Sequence, residues 1–168
     1  MTAAEAHSHA FPPSVGVDAR LLLLGSLPGT ESLRRGQYYA HPGNAFWHLV
    51  GGVVGEALPD LPYELRLDRL KAHRIGLWDV IGSAWRTGSL DAAIRDAQPR
   101  DLAAFAATLP DLRAIAFNGG TAARIGRRQL AGITRYALVD LPSSSAAHAA
   151  MPRAAKLEAW RALGPFLD

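Results

Sequence analysis

Leu21-Leu-Leu-Leu-Gly-Ser-Leu-Pro-Gly29 is an apolar run that drives straight into a Gly/Pro turn. The next stretch, Thr30-Glu-Ser-Leu-Arg-Arg-Gly-Gln-Tyr-Tyr-Ala-His-Pro-Gly-Asn-Ala-Phe-Trp47, closes in a dense group of aromatics with one His and one Asn. The apolar run is too short for a lone helix and is stopped by Gly25, so Ala19–Gly25 reads as a buried strand. Asn44 is placed to cap a helix reaching about Val54, since Phe46, Leu49, Val50 and Val53 recur at helical spacing. A strand, a rigid turn and then aromatics with an amide is how an α/β protein builds a pocket at the carboxyl end of a strand. Such a pocket suits a flat heterocycle, with rings to stack on it and an amide to read its edge.

Working outward, residues 1–17 read as a loose leader and 18–168 as a single α/β domain. A helix is predicted over Tyr63–His73 and a second strand over Arg74–Val80. A short helix is predicted at Asp91–Asp96 and another from Pro99 to Ala107. Leu112–Asn118 reads as strand three, followed by a helix over Thr121–Gln129. Strand four is Arg135–Leu141, and Pro152–Leu163 closes the chain as an amphipathic helix. Alternating strands and helices, with Gly-, Pro- or Ser-rich turns after the strands, predict a three-layer α/β/α fold around a central, four-stranded, mainly parallel sheet. In that fold the turns Gly25–Gly29, Trp78–Ser83, Asn118–Gly120 and Pro142–Ser145 ring one crevice.

Composition narrows the chemistry. At 168 residues and 49% apolar, the chain has enough material for a buried core. It has no cysteine, which removes disulfides, thiolate nucleophiles and Cys-ligated metals. Neither an 18-residue apolar stretch nor a signal-like N-terminus is present, so the expectation is a soluble, cytoplasmic protein with no membrane contact. His7 and His9 flank Ser8 without a third ligand nearby. No metal and no cofactor are called for. Net charge is only +3, but Arg113, Arg124, Arg127, Arg128 and Arg135 fall between Asp111 and Asp140 with no acidic residue among them. That run fits either phosphate contact, with Arg124 and Arg127 the DNA-binding candidates, or a solvated helix face.

Gly25-Ser-Leu-Pro-Gly29, Gln37-Tyr-Tyr-Ala-His-Pro-Gly-Asn-Ala-Phe-Trp47, Gly76-Leu-Trp-Asp-Val80, Phe117-Asn-Gly119 and Leu141-Pro-Ser-Ser-Ser145 with His148 together resemble the uracil-DNA glycosylase superfamily. Within it they look most like the hypoxanthine (deoxyinosine) DNA glycosylases. The resemblance spans about Arg20 to Leu163. It implies hydrolysis of an N-glycosidic bond after a deaminated nucleotide is flipped from duplex DNA, by a monomer. It also implies that Asn44 carries the catalytic amide and that Tyr39 stacks on the base. Two departures stand out. The mismatch-specific relatives carry an Asn before the first-turn Pro, where this chain has Leu27. They also carry a bulky wedge in the last motif, where this chain has Ser145 and its neighbours.

Residue chemistry leaves several roles open. Asn44 suits donation to a leaving purine, water positioning, or helix capping. The first turn, Gly25, Ser26, Leu27 and Pro28, together with Tyr39, His41, Phe46, Trp78, Asp79 and Asn118, are the candidate base-binding residues. His41 equally suits fixing the turn before Pro42, Phe46 the core, Asn118 a helix cap and Asp79 a turn cap. Ser143, Ser144, Ser145 and His148 lie after a Pro turn rather than on a nucleophile elbow, so a phosphate clamp fits better than a Ser–His hydrolase. Two rival functions fit the same residues. One is a catalytically silent binder of damaged or abasic DNA, since Leu27 replaces the usual Asn. The other is a hydrolase or transferase of free nucleosides, which has no use for a phosphate-binding rim.

Overall fold

The chain runs from a short strand, β1 (Glu5–His9), into β2 (Leu21–Gly25), which is buried at every position. A continuous apolar strand of this kind needs cover on both faces, and the computed structural model, which describes residues 4–168, supplies it. Beside β2 lie β3 (Ile75–Asp79) on one side and β6 (Ala114–Asn118) then β7 (Ala137–Leu141) on the other, all parallel. Helices α2 (Phe46–Val54), α3 (Tyr63–Ala72) and α6 (Arg153–Trp160) pack Phe46, Trp47, Leu70 and Trp160 against Leu21, Leu23, Ile75 and Leu77. Helices α4 (Leu102–Ala107) and α5 (Gly120–Gln129) cover the other face, meeting Leu22, Leu24, Ile115 and Phe117. The two-residue period of a strand sorts neighbours onto opposite faces. The four-stranded parallel sheet between helices is the architecture expected.

Register aligns the strand ends. Gly25 pairs with Asp79, and Asn118 with Leu141, so all four strands stop together at one edge. Gly25 is required there. A Cβ on it would sit 2.7 Å from Asp79 Oδ1 and 2.9 Å from the Tyr39 hydroxyl.

The rest of the chain departs from expectation. Strand β4 (Ile81–Thr87) leaves the parallel sheet at once and pairs antiparallel with β1 and with β5 (Arg95–Pro99). The helix predicted at 91–96 is therefore a single 3₁₀ turn, Asp91–Ala93, followed by strand. The leader is not loose over its described part, residues 4–17. Glu5–His9 pairs with Ser83–Thr87, and Ser14 exchanges backbone hydrogen bonds of 3.0 and 2.8 Å with Leu77. Strands β3 and β4 both present free backbone edges, and the N-terminal segment satisfies them. Residues 1–3 of that segment lie outside the described residues.

Candidate active site

The aligned strand ends form the floor of a cavity of about 480 Å³, lined among others by Gly25–Gly29, Tyr39, His41, Asn44, Asp79, Asn118 and Ser143–His148. That volume lies in the range of small-ligand pockets. Most of the residues singled out in the sequence thus converge.

Tyr39 holds the centre of one wall. Its backbone is left-handed at φ 54°, a conformation that costs a side-chain-bearing residue free energy and persists only when its neighbours impose it. They do. Tyr38 N–H donates to the Tyr63 hydroxyl at 2.9 Å, and the Tyr38 carbonyl accepts from Trp47 Nε1 at 3.3 Å. On the other side Ala40 N–H donates to Ser32 Oγ at 3.0 Å. Between these anchors the Tyr39 ring stacks on Phe46 at 3.8 Å and 13°. Burial raises the Tyr39 hydroxyl far above the usual phenol range, with the nearby Asp79 adding to the rise. The Asn118 side chain pulls the other way, but among the described residues no group is placed to complete a hydrogen bond to the oxygen. Phe46 itself is fully buried and does not line the cavity, so it acts as backing for Tyr39 rather than as a base-binding surface.

Asn44 sits at the mouth of the same wall. Its Oδ1 accepts from Phe46 N–H at 3.0 Å, an Asx turn that leads into α2, whose N-cap is Ala45 rather than the Asn44 expected from the sequence. Because the partner is a donor, the oxygen end of the amide is identified and the NH₂ end is left over. The turn therefore uses one end of the side chain and leaves the other free. His41 Nδ1 accepts from Gly43 N–H at 2.9 Å and holds the turn, leaving Nε2 unused.

Asn118 is held differently. Its Nδ2 donates to Ser144 Oγ at 2.8 Å and its Oδ1 accepts from Ser144 N–H at 2.9 Å. The Ser144 carbonyl in turn accepts from Ala45 N–H at 2.9 Å. A buried amide thus ties the Ser-rich turn to β6, and the turn ties down the residue beside Asn44. Ser143 and Ser145 hydroxyls accept from Ser145 N–H and Ala147 N–H, the local pattern of Ser turns. Lys156 Nζ donates to the His148 carbonyl at 2.7 Å.

Asp79 is 4% exposed, and its Oδ2 has no partner among the described residues. Burial pushes its carboxyl up to about 7, with Arg100 and Arg86 pulling down and Asp91 pushing further up. Trp78, one residue earlier, points to the opposite face of the sheet. There it packs on Phe105 at 4.2 Å beneath the Arg100 guanidinium, outside the cavity. Nor does the basic run reach the cavity. Arg127 pairs with Asp140 at 2.9 Å, and Arg124 lines a separate cavity of about 260 Å³ between α5 and β5.

Sequence reasoning misses the turn Ser89-Leu90-Asp91, which completes the rim. Ser26 Oγ donates to Asp91 at 2.7 Å, and buried Arg86 bonds the carbonyls of Pro28 and Ser89. Nothing local in a Gly-Ser-Leu-Asp segment marks it as a pocket wall. The apolar-then-charged alternation Ala84-Trp-Arg86 is the nearest signal.

A family model described as the uracil DNA glycosylase superfamily matches residues 12–164. A hypoxanthine DNA glycosylase of Methanosarcina acetivorans is 45% identical over 138 residues, 82% of this chain and 86% of that protein. One from Methanosarcina barkeri is 43% identical over 109 residues, 65% of this chain and 69% of its own length. A solution NMR structure from Methanosarcina acetivorans, provisionally assigned as a uracil DNA glycosylase, superimposes with a TM-score of 0.86. It is 40% identical and covers 96% of this chain and 99% of its own.

Proposed function

The chain belongs to the uracil DNA glycosylase superfamily and is a DNA glycosylase, and we propose that it releases hypoxanthine first, with uracil and xanthine as further substrates. The observation that carries this is the held amide of Asn44, a residue that lines a cavity shared with a buried carboxyl and whose NH₂ end is left over. The deaminated nucleotide is extruded from the duplex, a step that costs a few kcal/mol and is easiest for a mispaired base. Its ring stacks on Tyr39, which Phe46 backs. Asp79 in its neutral form accepts from the lactam N–H and donates to the adjacent carbonyl oxygen, an edge that hypoxanthine, uracil and xanthine share. A buried oxygen without a partner gains one in the process.

As the glycosidic bond stretches, negative charge collects on the base, and the Asn44 NH₂ donates to it. Donors fixed in advance toward developing charge are usually the largest catalytic contribution. Water then attacks the oxocarbenium-like sugar. The chain's two lysines offer no alternative nucleophile in the cavity: Lys71 is exposed on α3, and Lys156 is committed to the His148 carbonyl. The product is therefore an intact strand with an abasic site, made by a monomer. Ser143, Ser145 and His148 form the rim that meets the flanking phosphates.

Incubation with duplexes carrying one deoxyinosine, deoxyuridine or deoxyxanthosine, followed by alkaline cleavage, tests this. Strand breaks only after alkali, strongest with deoxyinosine, are expected. Breaks before alkali, or none with any duplex, contradict it.

A further inference from the structure

We propose that Leu90 is the wedge that enters the duplex where the target nucleotide leaves, an inference that rests on the glycosylase function above. Extruding a nucleotide unstacks its neighbours, at about a few kcal/mol per step, and proteins that do so commonly insert an apolar side chain into the gap. The segment expected to carry such a side chain has none. Ser145, Ala146 and Ala147 are too small to span a base step, and the next residue, His148, is polar.

The described residues include five large apolar side chains with marked exposure: Val17, Leu65, Trp85, Leu90 and Ile133. Of these only Leu90 lines the cavity, and it is 60% exposed. An isolated exposed leucine needs no explanation on most surfaces, but one standing at the mouth of a base-sized pocket does.

The turn that presents it is fixed on both sides. Before it, Ser89 Oγ accepts from Thr30 N–H at 2.8 Å and donates to Thr30 Oγ1 at 2.8 Å. The Ser89 carbonyl accepts from the buried Arg86. After it, Asp91 accepts from Ser26. Leu90 is thus a free apolar side chain between two anchored residues, and its anchors belong to the first turn and to the helix α1 (Thr30–Arg35), the elements that shape the pocket. A wedge must resist being pushed back by the base stack, and this bracing provides that.

Leu90→Ala removes the wedge from an exposed position and leaves the anchors intact, so the fold is retained. Single-turnover excision from a deoxyinosine·dC duplex is expected to fall about tenfold or more, while excision from the same strand alone stays within about twofold. Leu90→Phe should recover most of the duplex rate, and Val17→Ala should change neither. A 2-aminopurine beside the lesion should brighten when wild type binds and much less with Leu90→Ala. Equal losses on duplex and single strand, no loss on duplex, or unchanged brightening would overturn the wedge. The fluorescence signal needs no turnover. Wild type that brightens the probe but releases no base would instead overturn the assigned activity while leaving the wedge standing.

Discussion

Asn44 and Asn118 are the chain's two asparagines, and both line one cavity, yet their amides are held in opposite ways. Asn118 spends both ends of its amide on Ser144 and is almost fully buried. Asn44, which also lines the cavity, spends only its oxygen, on the first N–H of α2, and its NH₂ is left over. The same side chain is a strut in one place and a poised donor in the other. What separates them is the count of hydrogen-bonding groups left over, not residue type or proximity to the site.

If that contrast is right, the two positions fail differently. Asn118→Ala leaves the Ser144 N–H and hydroxyl unpaired where they are buried, at about 1–3 kcal/mol for each group. Melting temperature should drop by about 2–4 °C per kcal/mol lost. Base release should fall with it, because Ser144 holds Ala45 beside Asn44. A calorimetric scan showing no destabilisation would break the strut assignment.

Tyr39→Ala comes next. Stacking contributes about 1–3 kcal/mol per base, so single-turnover excision should fall by tens-fold while overall DNA affinity changes little. Tyr39→Phe should be mild, since the hydroxyl it loses completes no hydrogen bond among the described residues. If Phe proves as damaging as Ala, the hydroxyl rather than the ring face is at work.

Asp79 supplies a pH signature. An unfolded aspartate ionises near pH 4, whereas burial holds the folded carboxyl at about 7. Between those values the folded protein keeps a proton that the unfolded chain has lost. Stability therefore falls as pH rises through that window and levels off above it, a loss on the order of 4 kcal/mol at most. Asp79→Asn should raise the melting temperature at about pH 8 and leave it unchanged near pH 4. Its amide mimics the neutral acid, so it should also abolish the decline in deoxyinosine excision that wild type shows above about pH 7. A wild-type profile rising through that range would mean that the ionised carboxylate is the active form.

The smallest effect belongs to the basic run. Arg127 is in an exposed ion pair with Asp140, of a kind worth about 0–1 kcal/mol. Arg127→Gln should leave the salt dependence of DNA binding nearly unchanged, whereas Arg124→Gln should lower its slope by about one phosphate contact. Titrations at several salt concentrations separate the two.

The legibility of the site divides in the same way, between local and distant causes. The β2 strand, its turn and the Tyr39–Phe46 cluster carry their signals within a few residues, and they land where expected. Asp79 and Trp78 are adjacent in sequence and both suit the site by chemistry. Strand alternation sends only one of them there: Asp79 lines the cavity, while Trp78 packs on Phe105 on the opposite face. Strands β1 and β5 read Glu-Ala-His-Ser-His and Arg-Asp-Ala-Gln-Pro, with no apolar alternation to mark them. Their pairing comes from the two edges of β4, which no local window contains. The Ser89–Asp91 turn and the Arg127–Asp140 pair depend on contacts 65 and 13 residues apart, and composition is silent about both.

We propose that Asn44 acts through its NH₂ and not through the bond its oxygen makes to Phe46 N–H. Asn44→Asp keeps the oxygen that accepts from Phe46 N–H and replaces the donor with an ionised oxygen, which opposes negative charge developing on the base. Melting temperature should stay at or above the wild-type value, because a carboxylate is favourable at a helix N-terminus. Single-turnover release of hypoxanthine should fall at least about 100-fold, the loss of roughly 2.7 kcal/mol of transition-state stabilisation. A stable Asn44→Asp protein that excises hypoxanthine within about threefold of wild type would contradict the account.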